Sequence, residues 1–323
     1  MNMDLVTSAD RFVCAGETIS GRSFRTAPGG KGANQAISAA RLGANVRMIG
    51  RVGDDAFGRE LIASAAASGV DTSFIQISKT SPTGIADIQI QNSPEGTENR
   101  IVVVPGANGE LTGESLSGLD GMIDDFDMVM LQHEIPSEAN EYVCKVAHAH
   151  SVPIMLNPAP AADVSREMMR LLTYISPNEH EAADICGIPA NTDRSIAEIA
   201  RSLIAAGTKN ALITLGSEGA AFSNGGKVIR VPAYKRYEPI DPTAAGDSFV
   251  AAFCVAMCLD LSPDDSMFFA TVVAGITISR MGATPSLPYL PEVLDMIGET
   301  DNKERAKRIL SAFGKGCLRG NDD

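Results

Sequence analysis

The sequence predicts an α/β protein: a mostly parallel sheet with helices on both faces, carrying a small antiparallel β lid. Two observations lead there. From residue 31 to about 280, short and continuously apolar runs alternate with segments of helical periodicity, the pattern of βα units whose strands are buried on both faces. Two stretches, about 5–28 and 82–104, break that rhythm with short alternating runs bounded by turn residues, the pattern of hairpins. A chain of 323 residues with 44% hydrophobic residues is long enough to bury a sizeable core. The reading is one α/β domain over 1–300 with a discontinuous lid.

The opening, Met3-Asp-Leu-Val6, leaves almost no residues ahead of Asn2 for the full buried strand that normally begins a doubly wound sheet. Lys31–Leu42 then reads as helix, Val46–Val52 as strand and Phe57–Ser68 as helix. In the lid, Gly84-Ile-Ala-Asp-Ile-Gln-Ile-Gln91 alternates apolar with polar, and Asn92-Ser-Pro-Glu-Gly96 is its turn. Strands follow at Met128–Leu131, Val152–Leu156, Tyr174–Ser176 and Ala211–Leu215. The helical segments between and after them are Glu138–His150, Arg166–Leu172, Ser195–Ala206, and two near 246–259 and 263–280. Residues 301–323 read as a charged tail, partly disordered.

A formal net charge of −13 argues against a nucleic-acid or anionic-membrane surface, yet backbone dipoles can still hold a phosphate. Cys14, Cys144, Cys186, Cys254, Cys258 and Cys317 form no Cys-x-x-Cys pair, so free thiols in a reducing, cytoplasmic compartment are expected. The N-terminus has no basic region leading into a long apolar core, and the run 249–259 is too short to span a bilayer.

Chemistry concentrates in a few segments. In Asp241-Pro-Thr-Ala-Ala-Gly-Asp247, small residues precede an apolar helix and a carboxylate lies on its first turn. Such a helix start is an anion cradle, and Asp247 is placed to take a proton beside a bound phosphate. The same segment equally fits a plain helix-start carboxylate. Gly29-Gly-Lys-Gly-Ala-Asn-Gln35 is not a Walker A loop. Its glycines admit a ligand close to the backbone, and Lys31 and Asn34 offer donors. Asn178-Glu-His-Glu181 follows a strand at the end where α/β sheets bind ligands, so Glu181 is a candidate for a hydrated Mg²⁺, or simply an acidic helix start. Thr214 and Gly216 end a buried strand and face either a nucleotide or a plain turn. His133 reads as structural, and His148 and His150, two apart on a helix, are not a metal pair.

These segments, in this order, resemble the ribokinase-like (PfkB-type) sugar kinase family. Gly29–Ala36 through Gly50-Arg-Val-Gly-Asp-Asp-Ala-Phe-Gly58 is similar to its first signature, Asp241–Asp247 to its second, and Asn178-x-x-Glu181 to its Mg-linked motif. Leu156-Asn-Pro-Ala-Pro160 and Gly282-Ala-Thr-Pro-Ser286 are most similar to its ribose-phosphorylating members. The resemblance implies ATP-dependent phosphorylation of the 5-hydroxyl of D-ribose. Another pentose, 2-deoxyribose or a nucleoside is the alternative acceptor, and a sugar-binding protein impaired by loss of its first strand the non-enzymatic one. It implies that Asn2, Asp4, Gly30, Lys31, Asn34 and Glu134 bind the sugar, with Asp247 as base. Ala244, Ala245 and Gly246 would cradle the transferring phosphoryl, Asn178, Thr214 and Gly216 would line the nucleotide site, and Glu181 would organise hydrated Mg²⁺. Asp241, Thr243, Thr277, Arg280, Gly282 and Ser286 match a K⁺ site, mostly through backbone carbonyls. Two departures stand out. Pro242 replaces the more usual Thr, and the family's first strand, which precedes the pair represented by Asn2 and Asp4, has no counterpart, so that pair is expected on a nearly free end. The partners implied are sugar and ATP, without nucleic acid or membrane, and a second copy of the chain paired along a lid edge as a homodimer.

Overall fold

The computed structural model describes residues 1–93, 96–188 and 195–316. The chain begins with β1 (Asn2–Ala9), β2 (Ser23–Gly29), α1 (Lys31–Arg41), β3 (Val46–Arg47), β4 (Gly50–Gly53), α2 (Ala56–Ala67), β5 (Val70–Asp71) and β6 (Ile75–Ser78). The long strands β7 (Gly84–Ser93) and β8 (Gly96–Val104) follow, then three short 3-10 turns and β9 (Val129–Gln132). Next come α3 (Ser137–Ala149), β10 (Ile154–Asn157), α4 (Arg166–Leu171), β11 (Tyr174–Ile175), α5 (Glu179–Ile185), α6 (Ile196–Ala206) and β12 (Asn210–Thr214). The hairpin β13 (Ala220–Ser223) and β14 (Ile229–Val231) leads to α7 (Ala245–Cys258), α8 (Pro263–Thr277), α9 (Leu290–Gly298) and α10 (Lys303–Gly316).

The main sheet has the order β14-β13-β12-β11-β10-β9. Its β9 to β12 pairings are parallel, and β13 and β14 close one side antiparallel. Alternate side chains enter opposite cores, because successive strand residues face opposite ways. Met155 and Leu212 join Phe253 of α7 and Phe269 of α8, whereas Leu156 and Ile213 join Leu203 of α6 and Cys144 of α3. Burial on both faces is why these strands read as unbroken apolar runs. Local signals set the helix starts. Ser195 and Glu198 form a reciprocal capping box on α6, and Ser262 caps α8 with Pro263 in its first turn.

The lid is a four-stranded sheet of order β2-β1-β7-β8. β1 pairs antiparallel with β2 and parallel with β7, and β7 with β8 forms a long hairpin. This corrects one expectation. Asn2 and Asp4 do not hang on a free end; they lie in a strand paired on both sides, and Met1 is 4% and Asn2 1% exposed. The strand-like opening Met3–Val6 extends back to Asn2 and joins the lid, where its pairing partners β2 and β7 lie far along the chain.

The main sheet, in turn, stops at β9. Beyond it lies an apolar cavity of about 600 Å³, lined by Val129, Met130 and Leu131, by Val46, Met48 and Ile49, and by Ala36 and Ala39 of α1.

A second correction concerns residues after 300. That stretch is charged, but α10 buries Ala306, Ile309 and Phe313, and Phe313 stacks on Phe269 with ring centroids 4.6 Å apart. Arg305 and Arg308 pair with Asp265 at the start of α8. The apolar positions recur at helical spacing beneath a charged outer face, so composition alone hid the helix. The end of the expected tail, with Cys317, lies outside the described residues, as do Pro94 and Glu95 of the hairpin turn.

Candidate active site

Two glycines bring the lid and α1 together. A Cβ on Gly29 would stand 2.4 Å from Asp4 Oδ2, so the Asp4 carboxylate occupies the space a side chain would need. Gly30, at φ +92°, leaves 2.7 Å between such a Cβ and the Asn2 backbone nitrogen, which only glycine tolerates. Glu134 then ties the two elements. Its Oε1 accepts from Asn2 Nδ2 at 3.2 Å and its Oε2 from the Lys31 backbone N–H at 2.7 Å. Asn108 completes this frame, donating to Asn2 Oδ1 at 2.8 Å and accepting from the Met1 ammonium at 2.9 Å.

Asp247 lies on the first turn of α7, behind Ala244, whose left-handed φ of 62° starts the helix. It is 6% exposed. Both its oxygens are held from α1: Asn34 Nδ2 donates to Oδ2 at 2.9 Å and Gln35 Nε2 to Oδ1 at 3.2 Å. The outward atoms are the ones suited to a polyol. Asn34 Oδ1 is buried with no partner among the described residues, and the Asp4 carboxylate lies close enough to Glu134 and Asp247 to feel both charges. Ala245 N–H closes a turn on Pro242 O at 3.1 Å, while Gly246 borders open space.

The electrostatics are those of three carboxylates in one recess. Burial, then Glu134 and Asp247, push the Asp4 carboxyl up to about 7, against a smaller opposing pull from Arg25. Burial also raises Glu134, which the Met1 ammonium partly offsets, and burial lowers that ammonium in turn. His133 is lowered by burial, and its Nδ1 has no partner among the described residues.

A cavity of about 180 Å³ joins the two halves of the site. Lys31, Asn157, Ser176, Asn178, Glu181, Thr214, Ala244, Gly246 and Asp247 line it. Asn178, beyond the end of β11, meets Thr214, the last residue of β12, as a parallel bridge, so both lie at the carboxyl edge of the sheet. Asn178 and Glu181 cap α5 reciprocally, Asn178 N–H to Glu181 Oε2 at 2.9 Å and Glu181 N–H to Asn178 Oδ1 at 2.8 Å. That leaves Glu181 Oε1 for water on a hydrated cation, a donor set that fits Mg²⁺. Gly216, at φ 52°, begins the turn after β12 and does not line this cavity.

Of the residues matched to a K⁺ site, Asp241 organises the loop. It accepts from Thr243 N and Oγ1 at 2.9 and 2.5 Å and from Gly282 N at 2.8 Å. Burial opposes these bonds, but together they hold its carboxyl below the usual range. Thr277 is buried and donates to Ser248 Oγ at 3.1 Å, Ser286 Oγ donates to Ala283 O at 2.7 Å, and Arg280 pairs with Glu292. The side-chain oxygens are thus spent on the loop itself, which fits a site of backbone carbonyls. Among the described residues, no cluster of three His, Cys, Asp or Glu side chains could hold a metal.

Sequence reasoning missed Gln35, Gln132, Asn157 and Asn108. Gln132 donates to Gln35 Oε1 at 2.6 Å, Gln35 to Asn157 Oδ1 at 3.2 Å, and Asn157 to Ser176 O at 2.8 Å. The signal for Gln35 was present: Asn34, Gln35 and Ser38 are polar on a helix of otherwise small and apolar buried residues.

The model of the pfkB family of carbohydrate kinases matches residues 1–290. The ribokinase of Bacillus subtilis is 40% identical over 297 residues, covering 92% of this chain and 96% of that protein. The ribokinase of Lactococcus lactis is 37% identical over 304 residues, 93% of this chain and 96% of that one. The structure of Arabidopsis thaliana ribokinase complexed with ribose and ATP superposes with a TM-score of 0.83 at 32% identity, covering 91% and 95% of the two chains. With a family match over most of its length and relatives of this identity and coverage, the chain belongs to the pfkB family of carbohydrate kinases.

Proposed function

We infer that this protein transfers the γ-phosphoryl of ATP to the 5-hydroxyl of D-ribose. The single observation that carries the reading is the placement of Asp247. A buried carboxylate, held by amides on both oxygens at the start of α7, opens onto one cavity with Lys31 on the sugar side and Asn178, Glu181 and Thr214 on the other. The relatives named ribokinase, and the one solved with ribose and ATP, support the choice of substrates.

In this reading the sugar lies between Asp4, Asn34 and Lys31, over a floor that Asn2 and Glu134 build. Asp4 and Asn34 Oδ1 accept from sugar hydroxyls. Asp247 takes the proton of the 5-hydroxyl as its oxygen bonds to the γ-phosphorus and the bond from phosphorus to the ADP oxygen breaks. The α7 N-terminus, with the Gly246 N–H, faces the charge that develops on the phosphoryl. Mg²⁺ near Glu181 would neutralise phosphate charge, and K⁺ between the loops at 241–243 and 280–286 would order the backbone around the cradle. Residues 1–300 act as one α/β unit whose lid, β1, β2, β7 and β8, closes over the sugar. A cytoplasmic homodimer is part of the proposal, since edge strand β8 exposes Ile101, Val102, Val103 and Val104 between 41% and 60%.

Coupled ADP release over ribose, 2-deoxyribose, fructose and adenosine tests the substrate, with ³¹P NMR to locate the ester. Ribose should give the highest kcat/KM and a 5-phosphate. Absence of sugar-dependent ADP release overturns the reading, and a preference for 2-deoxyribose or adenosine replaces the acceptor. Sedimentation at micromolar concentration tests the dimer, which a monomer throughout would refute.

A further inference from the structure

We propose that Gln35 is a positioning residue for proton transfer, its side-chain amide fixing the plane of the Asp247 carboxylate. This rests on Asp247 acting as base. A carboxylate can only accept, so the nitrogen of Gln35 must face Asp247 Oδ1, and its oxygen is left to accept from Gln132 Nε2 at 2.6 Å. The same nitrogen reaches Asn157 Oδ1 at 3.2 Å, and Asn157 is fixed by donating to Ser176 O at 2.8 Å. Gln132 is anchored through its own carbonyl, which accepts from Asn140 Nδ2 at 2.8 Å. Gln35 is fully buried at 0% exposure. Its amide cannot rotate without leaving buried polar groups unpaired, an expensive change.

The consequence is directional. Asn34 holds Oδ2 and Gln35 holds Oδ1 from consecutive residues of α1, so the carboxylate is gripped at both oxygens by one rigid turn. Free rotation about the Asp247 side chain is lost, and its remaining lone pairs are presented to the cavity it lines. Gln35 does not line that cavity; it acts through Asp247 and touches no substrate.

The test uses two variants. Gln35→Met keeps the length and removes the N–H. It should lower kcat by roughly 10- to 100-fold with the KM for ribose and ATP within about 2-fold, since misplacement of a reacting group costs rate rather than ground-state binding. Gln35→Glu restores a donor only when the new carboxyl is protonated. Its kcat relative to wild type should therefore climb as pH falls from about 8 to about 6. Asp4, Glu134, Asp247 and Lys31 are present in both proteins, so the ratio reports the new carboxyl together with its coupling to Asp247, 3.2 Å from the present amide. A Gln35→Met enzyme with wild-type kcat, or a flat ratio for Gln35→Glu, overturns the proposal. If the wild-type protein releases no ADP with any sugar, the kinase reading is what fails. The pair is then judged by a double-mutant cycle of Gln35→Met with Asp247→Asn on unfolding. Coupling of about 5-fold or more in the folding equilibrium supports it, and additivity overturns it.

Discussion

Joining a short apolar strand to the nitrogen of Met1 should stabilise the protein. β9 ends the main sheet with one side unpaired, and the segment at 46–49 across the 600 Å³ cavity pairs only with β5, through β3. Met1 belongs to the same buried apolar cluster as Ala36 and Met48, which line that cavity. Asn2 bonds Glu134, two residues past the end of β9, and the Met1 ammonium bonds Asn108, three residues before the lining Leu111. Residues added ahead of Met1 would therefore run back along β9, parallel to it, between two apolar walls. Four such residues would each gain about 1 kcal/mol from a net hydrogen bond and about 2 kcal/mol from apolar burial. Ordering costs about 2 kcal/mol each, leaving about 4 kcal/mol. For a chain of this size that is a rise of roughly 5–10 °C in Tm. The added amide also replaces a buried ammonium. Because burial lowers that amine below its ordinary 8.0, the unfolded chain holds the proton more tightly, and stability climbs with pH up to about 8. The extension should flatten that slope. The assay is thermal melting of the chain with Val-Ile-Val-Val-Gly ahead of Met1, against Ser-Gly-Ser-Asn-Gly. If the apolar extension melts no higher than the polar one, the cavity is not a place for a strand.

Asp247→Asn should lower kcat by ~10²–10⁴-fold, the span of general-base loss, with ribose affinity by calorimetry little changed; near-normal turnover would remove Asp247 from its role. Activity should rise with K⁺ and fall when a much smaller cation replaces it, on the proposal that the loop tied by Asp241, Thr243 and Gly282 holds a cation through backbone carbonyls; equal rates in potassium-free buffer would refute this. Burial and its acidic neighbours push the Asp4 carboxyl up to about 7, and its ionised form accepts hydroxyls more strongly than the neutral one, so on its proposed role ribose affinity should strengthen as pH rises through that value. Its contribution to stability should move the other way. The folded state keeps a proton that the unfolded chain loses near 3.8, so the Asp4 contribution falls as pH rises from about 4 to about 7, opposite in sign to that of the Met1 amine. Asp4→Asn should remove both contributions, raising Tm at pH 8 while weakening ribose binding; a pH dependence identical to wild type in that variant would show that Asp4 is not the group.

What the sequence disclosed and what it concealed divide along a physical line. Strands buried on both faces, such as Ile154–Asn157 and Asn210–Thr214, announce themselves because each residue must be apolar or hydrogen-bonded at the sheet edge. Small residues before an apolar helix mark α7, because nothing larger leaves its first turn open. Such segments also singled out Asp247, Lys31 and Asn34, which the fold brings together: Asp247 and Lys31 line one cavity and Asn34 donates to Asp247. The floor of the site was not, since it is built by pairs far apart in the chain: Asn2 with Asn108 and Glu134, and Gln35 with Asn157 and Asp247. No local pattern links residues 106, 132, 122 or 212 positions apart. The N-terminal strand illustrates the cost of reading locally. Judged by its neighbours in sequence, Asn2 is a free end. Judged by its neighbours in space, it is among the most constrained residues of the lid, and Asp4 is preorganised because β2 and β7 hold its strand from both sides. Preorganisation lowers the ordering cost of gripping a flexible polyol. The residues proposed to bind the sugar from the lid are therefore fixed by pairings that only the folded chain creates.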